Sequence, residues 1–141
     1  MVKKSIVVVL GIIKNKKNEI LLSLRNDPKF PGAHLKWDLI GGKNEIGESL
    51  EETIKREIKE ETGLKVKVKD FLSKSICKNW DFPNYYQHTL LFCYVCEPVG
   101  GKMQNKEDKI IELKWVKRKD VFKFDLLFSA REYLELFYKN H

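Results

Sequence analysis

Residues 42–64 limit what this chain can fold into more than any other part of the sequence. A loop that contains glycine precedes a charged segment in which Glu57, Glu60 and Glu61 have the spacing i, i+3 and i+4. Side chains with this spacing share one face of an α-helix. Like charges so placed destabilise a helix by about 0.2–0.5 kcal/mol per pair, and the negative end of the helix dipole adds to that effect. The pattern therefore predicts a compensating positive group outside the helix.

A divalent cation is one candidate for this positive group. Mg²⁺ prefers oxygen ligands and is commonly bound by one or two carboxylates together with water and substrate phosphate. Ion pairs along the helix are the alternative, because Glu52, Arg56 and Glu60 follow one another at intervals of four residues, as on a solvent-exposed face. The helix pattern alone does not separate these two interpretations.

The same segment carries signals for both ends of the helix. Ser49 and Glu52 have the spacing of a capping box, and Gly63 suits the left-handed conformation that often follows a last helical turn. These signals predict a helix over about residues 49–62. Its apolar stripe is expected to pack on a sheet and to turn the glutamates toward the glycine loop. The stripe consists of Leu50, Ile54 and Ile58.

Taken together, these residues resemble the signature of the Nudix hydrolase family, G-x5-E-x7-R-E-U-x-E-E-x-G-U, in which U is a bulky aliphatic residue. Every fixed position of the signature is filled. The matching residues are Gly42, Glu48, Arg56, Glu57, Ile58, Glu60, Glu61, Gly63 and Leu64. One departure is visible, because Ile40 stands where many members of the family have proline before the paired glycines. It removes no candidate ligand.

The resemblance implies that the glutamates of the signature form a metal site. Glu57, Glu60 and Glu61 would bind Mg²⁺, or Mn²⁺ in its place, or would position the attacking water. The backbone carbonyl of Gly42 would assist them.

Two further features follow from the resemblance. An ion pair between Glu48 and Arg56 would hold the loop to the helix. An acid shortly before a late tryptophan often completes the metal site or acts as a base, and Glu107 and Asp108, which precede Trp115 by eight and seven residues, are the candidates. An acidic turn between strands would also explain either of these residues.

Substrate-binding residues are expected from a second similarity. Residues 11–25 are similar to the opening of the MutT-like members of the family, which hydrolyse oxidised purine nucleoside triphosphates. In that comparison Arg25 falls near an arginine that contacts the base, although an arginine there could also end a strand in solvent. Asp125 falls near an amide that contacts the base, and Phe82 belongs to an aromatic-rich loop that could stack on it. We therefore expect these three residues to bind the substrate.

The implied activity is Mg²⁺-dependent hydrolysis of a nucleoside diphosphate linked to another group, with a MutT-like nucleoside triphosphate pyrophosphatase preferred. Alternatives within the family are hydrolases of ADP-ribose, of a sugar nucleotide or of a dinucleoside polyphosphate. A non-catalytic domain that binds a nucleotide and regulates a partner is a further alternative. Such domains usually lose glutamates of the signature, whereas this chain keeps them all.

Composition and charge suit one compact domain over residues 1–141. A chain of this length with 43% hydrophobic residues can form a single core. The net charge is +7, but the basic residues are scattered, which indicates solubility rather than nucleic-acid binding. The apolar run at residues 6–13 is too short to cross a bilayer, and no signal cleavage site follows it. We expect a cytoplasmic protein with a nucleotide substrate, either monomeric or homodimeric.

The three cysteines are interpreted as buried, reduced thiols. Cys93 and Cys96 form a C-x-x-C pattern, but side chains three residues apart on a strand face opposite sides. No second pair with the spacing of zinc ligands is present, and Cys77 lies alone in a segment of strand or loop pattern.

The distribution of apolar residues predicts an α/β fold. Alternating patterns predict strands, and a period near four predicts a second helix at the end of the chain. The strands are expected at about residues 5–13, 19–25, 37–40, 64–76, 87–97 and 109–117, the loops at 26–36 and 79–84, and the last helix at 127–139. Strands mixed with one central and one terminal helix indicate a mixed sheet covered on both faces. The Nudix resemblance implies the same α/β/α sandwich.

Overall fold

The computed structural model describes residues 2–140 and contains seven strands and two α-helices in that range. The strands are β1 (Val2–Ile13), β2 (Glu19–Arg25), β3 (Trp37–Asp38), β4 (Ile40–Lys43), β5 (Leu64–Asp81), β6 (Tyr85–Gly101) and β7 (Ile110–Lys117). The helices are α1 (Leu50–Thr62) and α2 (Phe128–Asn140), and a 3-10 helix covers Arg118–Lys123. In this part of the chain, the helices lack the length and apolar composition that a bilayer-spanning segment requires.

The strands form two sheets. The first has the order β4-β1-β6-β5, and the second has the order β3-β2-β7. β1 runs parallel to β6, with Val2 opposite Tyr85 and Ile13 opposite Cys96, whereas the other neighbouring strands are antiparallel. The predicted mixed sheet is therefore present, but the chain divides its strands between two sheets.

The hydrophobic core lies on both faces of the first sheet. Alternate residues of β1 pack in opposite directions, because Leu10 and Ile12 belong to the cluster with α2, whereas Val9 and Ile13 belong to the cluster with α1. This alternation is the two-residue period of a strand that is buried on both faces. The arrangement confirms the predicted α/β/α sandwich.

Both predicted ends of α1 are confirmed. Ser49 Oγ accepts a hydrogen bond from the N–H of Glu52 at 3.1 Å, and the N–H of Ser49 donates to Glu52 Oε1 at 3.0 Å. Gly63 has φ of 78°, and its N–H donates to the carbonyl of Lys59 at 2.9 Å. Of the predicted apolar stripe, Ile54 and Ile58 are fully buried, and Leu50 is partly buried beside them.

The predicted loop at residues 79–84 is wrong over half of its length. β5 continues to Asp81 and pairs with β6, so that Trp80 lies opposite Gln87, and residues 82–84 form the connection. The N–H of Phe82 donates to the carbonyl of Tyr85 at 2.9 Å, and the two rings stack with centroids 4.6 Å apart. Aromatic cross-strand contacts of this kind favour strands over the turn tendency of Asn and Asp.

The predicted strand at residues 37–40 is divided between the two sheets. Trp37 and Asp38 pair with β2, whereas Ile40 begins β4 and pairs with β1. Consequently Gly41 and Gly42, which we expected in a loop, lie in a strand of the first sheet. The chain passes from the second sheet to the first at residue 39, and Gly41 and Gly42, the glycine pair, therefore lie directly beside α1.

The prediction of three buried thiols is correct for two of them. Cys93 and Cys96 are buried on opposite faces of β6, one in the cluster with α2 and the other in the cluster with α1. Burial raises the pKa of Cys96 to about 12 and holds that of Cys93 well above its ordinary value, so both are neutral thiols. Cys77 is exposed on the long β5–β6 hairpin. Its Sγ is 3.6 Å from Nδ1 of His88 on the neighbouring strand.

Candidate functional site

A cleft of about 470 Å³ is lined by residues from both sheets and from the start of α2. One part of it, which we call the carboxylate end, is formed by Gly41, Gly42, Glu61 and Lys109, with Glu57 packed against Gly42. Another part, which we call the aromatic wall, is formed by Phe30, Trp80, Phe82 and Phe128. The cleft thus combines a charged region with an apolar one.

Glu61 lies at the carboxylate end with its side chain only 5% exposed. Its Oε2 accepts a hydrogen bond from the N–H of Gly41 at 3.2 Å, and its Oε1 is 2.9 Å from Nζ of Lys109. Burial raises the pKa of Glu61 to about 7, although Lys109 acts in the opposite direction. Because a charge is poorly solvated there, this carboxylate favours a cationic neighbour.

Glu57 lies against the glycine pair. A Cβ atom built on Gly42 would collide with the Glu57 carboxylate, so only a residue without a side chain leaves room for it. Arg56 Nη1 donates to Glu57 Oε1 at 2.9 Å. The carboxylate is therefore fixed directly beside the backbone of β4.

Arg56 joins α1 to the loop that precedes it. Its Nε donates to Glu48 Oε2 at 2.7 Å, and its Nη2 donates to Glu48 Oε1 at 3.0 Å and to the carbonyl of Lys43 at 2.9 Å. The hydrogen bonds from Arg56 hold the pKa of Glu48 at about 2. The structure thus contains the ion pair that the family resemblance implied.

The three glutamates of α1 differ in their surroundings. Glu57 and Glu61 are buried at the glycine pair, whereas the Glu60 side chain is 52% exposed and pairs with Arg56 at 3.2 Å. Between residues 2 and 140, no three His, Cys, Asp or Glu side chains are already arranged as a metal site. The donors nevertheless fit a hard divalent cation, because they are carboxylate oxygens beside a glycine backbone that a cation can approach closely.

Lys109 is a residue of this site that the sequence analysis missed. It follows Glu107 and Asp108 in the turn before β7, and its Nζ reaches Glu61. The carbonyl of Asp108 accepts a hydrogen bond from Asn26 Nδ2 at 3.0 Å, which fixes the turn beside the end of β2. The crowded glutamates did predict a positive group outside the helix, but no local pattern indicated which one.

Arg25 lines the cleft and is held by two carboxylates. Its Nη1 donates to Asp38 at 3.0 Å and its Nη2 to Asp27 at 2.7 Å. Burial raises the pKa of Asp38, and the charge of Arg25 partly offsets this effect. Among the described residues, no protein atom accepts a hydrogen bond from the buried Nε of Arg25. Asp27 and Asp38 had no signal in the sequence, since each is an isolated acid.

The other two expected substrate-binding residues lie in different places. Phe82 is part of the aromatic wall and packs edge-on against Phe30, with ring centroids 5.6 Å apart. The Asp125 side chain is 69% exposed and pairs with Lys36 Nζ at 3.0 Å, outside the lining of the cleft as the structure describes it. The fold therefore brings Arg25 and Phe82 into one cleft but leaves Asp125 apart from them.

Comparison with known proteins identifies the family to which this chain belongs. The profile of the NUDIX domain matches residues 4–137, so the chain belongs to the Nudix family. The solved structure of a MutT NUDIX hydrolase from Burkholderia pseudomallei has the same fold, with a TM-score of 0.78 at 26% identity over 94% of this chain and 98% of that one.

Curated relatives point to more than one substrate. The chain is 38% identical over 102 residues to an ADP-ribose pyrophosphatase of Methanocaldococcus jannaschii, covering 72% of this chain and 56% of that protein. It is 31% identical over 106 residues to the 8-oxo-dGTP diphosphatase of Escherichia coli K12, covering 74% and 75%. It is also 30% identical to the NAD-capped RNA hydrolase NudC of Pseudomonas aeruginosa, covering 74% and 34%. The aligned region thus spans about half of the first relative and a third of NudC.

Proposed function

We propose that this chain is a Mg²⁺-dependent pyrophosphohydrolase of nucleoside diphosphates linked to another group, with nucleoside triphosphates as its substrates. The observation that carries the proposal is the presence of the carboxylate end and the aromatic wall in one cleft. Carboxylates suit a cation that neutralises phosphate, and aromatic rings suit a base. The similarity to the 8-oxo-dGTP diphosphatase, which extends over 75% of that protein, supports the triphosphate class.

Glu57, Glu60 and Glu61, together with the carbonyl of Gly42, are the proposed ligands of Mg²⁺ or Mn²⁺. A cation bound there would neutralise phosphoryl oxygens and lower the pKa of a bound water. Because Glu60 is half exposed, it can turn from Arg56 toward the site without a large loss of burial. Glu107 and Asp108 are proposed as alternatives for one further acidic group.

The chain's own contacts suggest how it positions its substrate. Arg56 joins the helix to the loop through its ion pair with Glu48. We therefore propose that Arg56 positions the metal ligands and does not contact the substrate. Phe82 would stack on the base. Asp125 pairs with Lys36 outside the described lining of the cleft, so its contacts do not support the expected role in substrate binding.

Arg25 is proposed to bind the base rather than a phosphate. Two carboxylates already neutralise its guanidinium, which weakens its attraction for a phosphate. Each of its Nη atoms keeps a second N–H beyond these ion pairs, and a hydrogen-bond acceptor on a base edge would accept from it. This pairing would give the cleft a preference among bases.

In the proposed reaction, a water oxygen bonds to one phosphorus atom and the bridging P–O bond breaks. A nucleoside triphosphate then gives a nucleoside monophosphate and pyrophosphate, and the proton of the water is released. The catalytic contribution of the protein is the positioning and charge stabilisation that such phosphoryl transfers depend on.

Hydrolysis of ADP-ribose is the second candidate, because the relative with 38% identity is an ADP-ribose pyrophosphatase. The two functions give different products, since ADP-ribose would yield AMP and ribose 5-phosphate. The aromatic wall could serve the adenine of this substrate as well.

A substrate screen tests the proposal. Nucleoside triphosphates, oxidised nucleotides, ADP-ribose, sugar nucleotides and dinucleoside polyphosphates would be incubated with the protein and Mg²⁺ or Mn²⁺, and the products separated by chromatography. The proposal expects monophosphate and pyrophosphate from triphosphates. Binding of a nucleotide without turnover of any substrate would favour the non-catalytic regulatory domain instead.

A further inference from the structure

Lys109 is a largely exposed cation at the carboxylate end. Its Nζ is 2.9 Å from Glu61 Oε1, yet its side chain is 56% exposed while that of Glu61 is 5% exposed. A lysine ammonium on a flexible stem changes partners readily, because it keeps its hydration as it moves. The buried carboxylate, which also accepts the N–H of Gly41, stays in place. The ion pair can therefore open by movement of Lys109 alone.

The backbone of Lys109 is fixed beside the cleft. The N–H of Asn26 donates to the carbonyl of Lys109 at 2.8 Å, and Nδ2 of Asn26 donates to the carbonyl of Asp108 at 3.0 Å. Asn26 follows Arg25, whose side chain lines the same cleft. The anchored turn therefore holds the backbone of Lys109 at the lining of the cleft.

We propose that Lys109 is a built-in counter-ion of the metal site, which pairs with Glu61 before a metal binds and moves from Glu61 to a substrate phosphate afterwards. This inference rests on the proposed function. An ammonium and a divalent cation at the same buried carboxylate repel each other, and the repulsion is strong where water is scarce. The released ammonium, with three donors and one positive charge, then lies beside the cleft that would hold the phosphates. Lys109 thus lowers metal affinity before substrate binds and, by direct contact with a phosphate, raises substrate affinity afterwards.

Direct measurement of metal binding tests whether Lys109 lowers metal affinity in the absence of substrate. Free Mn²⁺ would be followed by electron paramagnetic resonance during titration of wild type, Lys109→Met, Lys106→Met and Glu61→Gln, without nucleotide. Lys106 is an exposed lysine of the same connection whose backbone N–H contacts the Glu61 carbonyl, so Lys106→Met removes the same charge and keeps that contact. We expect Lys109→Met to bind Mn²⁺ about fivefold more tightly than wild type, and Lys106→Met to stay within about twofold.

The outcomes separate the inference from the proposed function. If Glu61→Gln loses Mn²⁺ but Lys109→Met binds it no more tightly than wild type, the counter-ion role is wrong and the metal site stands. If Lys106→Met tightens binding as much as Lys109→Met, the effect is one of overall charge and the inference is also wrong. If wild type binds no Mn²⁺ with or without nucleotide, the proposed function fails. Circular dichroism would confirm that each variant is folded.

Steady-state kinetics test whether Lys109 raises the affinity for substrate. At saturating Mg²⁺, Lys109→Met should raise the KM for the substrate about tenfold while kcat changes little, because a contact made equally in the ground and transition states is lost. Lys109→Arg should restore most of the affinity, since it keeps the charge. An unchanged KM in Lys109→Met would contradict the transfer of this lysine to the phosphate.

Discussion

The Glu57 carboxylate occupies the space that a side chain on Gly42 would fill. This contact places an acidic group of α1 directly against the backbone of β4. It also explains why the first glycine of the signature and a glutamate of the following helix belong to one site. The strand and the helix meet at this point.

Replacing Gly42 by alanine should displace Glu57, because the new Cβ and the carboxylate cannot occupy the same space. We expect kcat/KM to fall on the order of a hundredfold, as small misplacements of catalytic groups can cost that much. Gly100→Ala is the matched control, since a Cβ built there meets only the Lys65 side chain, at ordinary contact distances of 3.9 and 4.0 Å, and Gly100 lies outside the described lining of the cleft. Steady-state assays of both variants check this, and a fully active Gly42→Ala protein would show that the contact is dispensable.

The pairing of Glu48 with Arg56 should make stability depend on pH. Arg56 holds the pKa of Glu48 at about 2, below the ordinary value of 4.5, so the ionised Glu48 stabilises the fold above pH 4.5. That contribution is lost as the pH falls from 4.5 toward 2. Urea unfolding of wild type and Glu48→Gln at pH 7, 4.5 and 3 should show the difference in unfolding free energy shrinking.

The control for this pH series is Glu51→Gln, which changes an exposed glutamate in the first turn of α1. Its difference from wild type should vary less over the same pH range. A constant difference for Glu48→Gln would mean that the ion pair adds nothing to stability.

Removal of the Tyr133 hydroxyl should destabilise the protein. This buried hydroxyl lies 2.8 Å from the carbonyl oxygen of Leu91 and 2.9 Å from that of Lys74, and the two acceptors share its single hydrogen, so it connects α2 to the β5–β6 hairpin. Tyr133→Phe should lower the free energy of unfolding by about 1–2 kcal/mol, because the one donor that the two carbonyls share is lost. Tyr138→Phe is the control, since the Tyr138 hydroxyl is buried without a hydrogen-bond partner in the described chain. Equal losses in both variants would contradict this reasoning.

Loss of the Phe82 ring should weaken substrate binding. Phe82→Ala removes one ring from the aromatic wall, and we expect KM to rise about tenfold with a smaller change in kcat. Phe122→Ala removes an exposed ring from the 3-10 helix, outside the described lining of the cleft, and should leave KM unchanged. A KM that responds to neither substitution would exclude base stacking at Phe82.

The local parts of the fold could be predicted from the sequence. The capping pair Ser49 and Glu52, the terminating Gly63 and the alternation that separates Cys93 from Cys96 each depend on residues a few positions apart. Such short-range patterns determine the local structure without contacts from distant segments. The same is true of the position of the signature glutamates on one helix.

The parts that could not be predicted depend on contacts between distant segments. The pairing of Lys109 with Glu61 and of Arg25 with Asp38 requires the meeting of strands and turns that no local pattern specifies. The extension of β5 to Asp81 likewise depends on its partner strand, because cross-strand packing outweighs the local turn tendency of that segment. Sequence patterns therefore located the signature glutamates and both arginines but missed Lys109 and the two acids that pair with Arg25.

Turnover by glutamine variants of the signature tests the central claim most directly. Glu60→Gln and Glu61→Gln keep the size of each side chain and remove its charge, so both proteins should fold as wild type by circular dichroism. We predict that each lowers kcat by about a hundredfold or more on the substrate that the screen identifies, in Mg²⁺ and in Mn²⁺. Near-normal kcat in both variants would contradict the proposal that these carboxylates form the metal site.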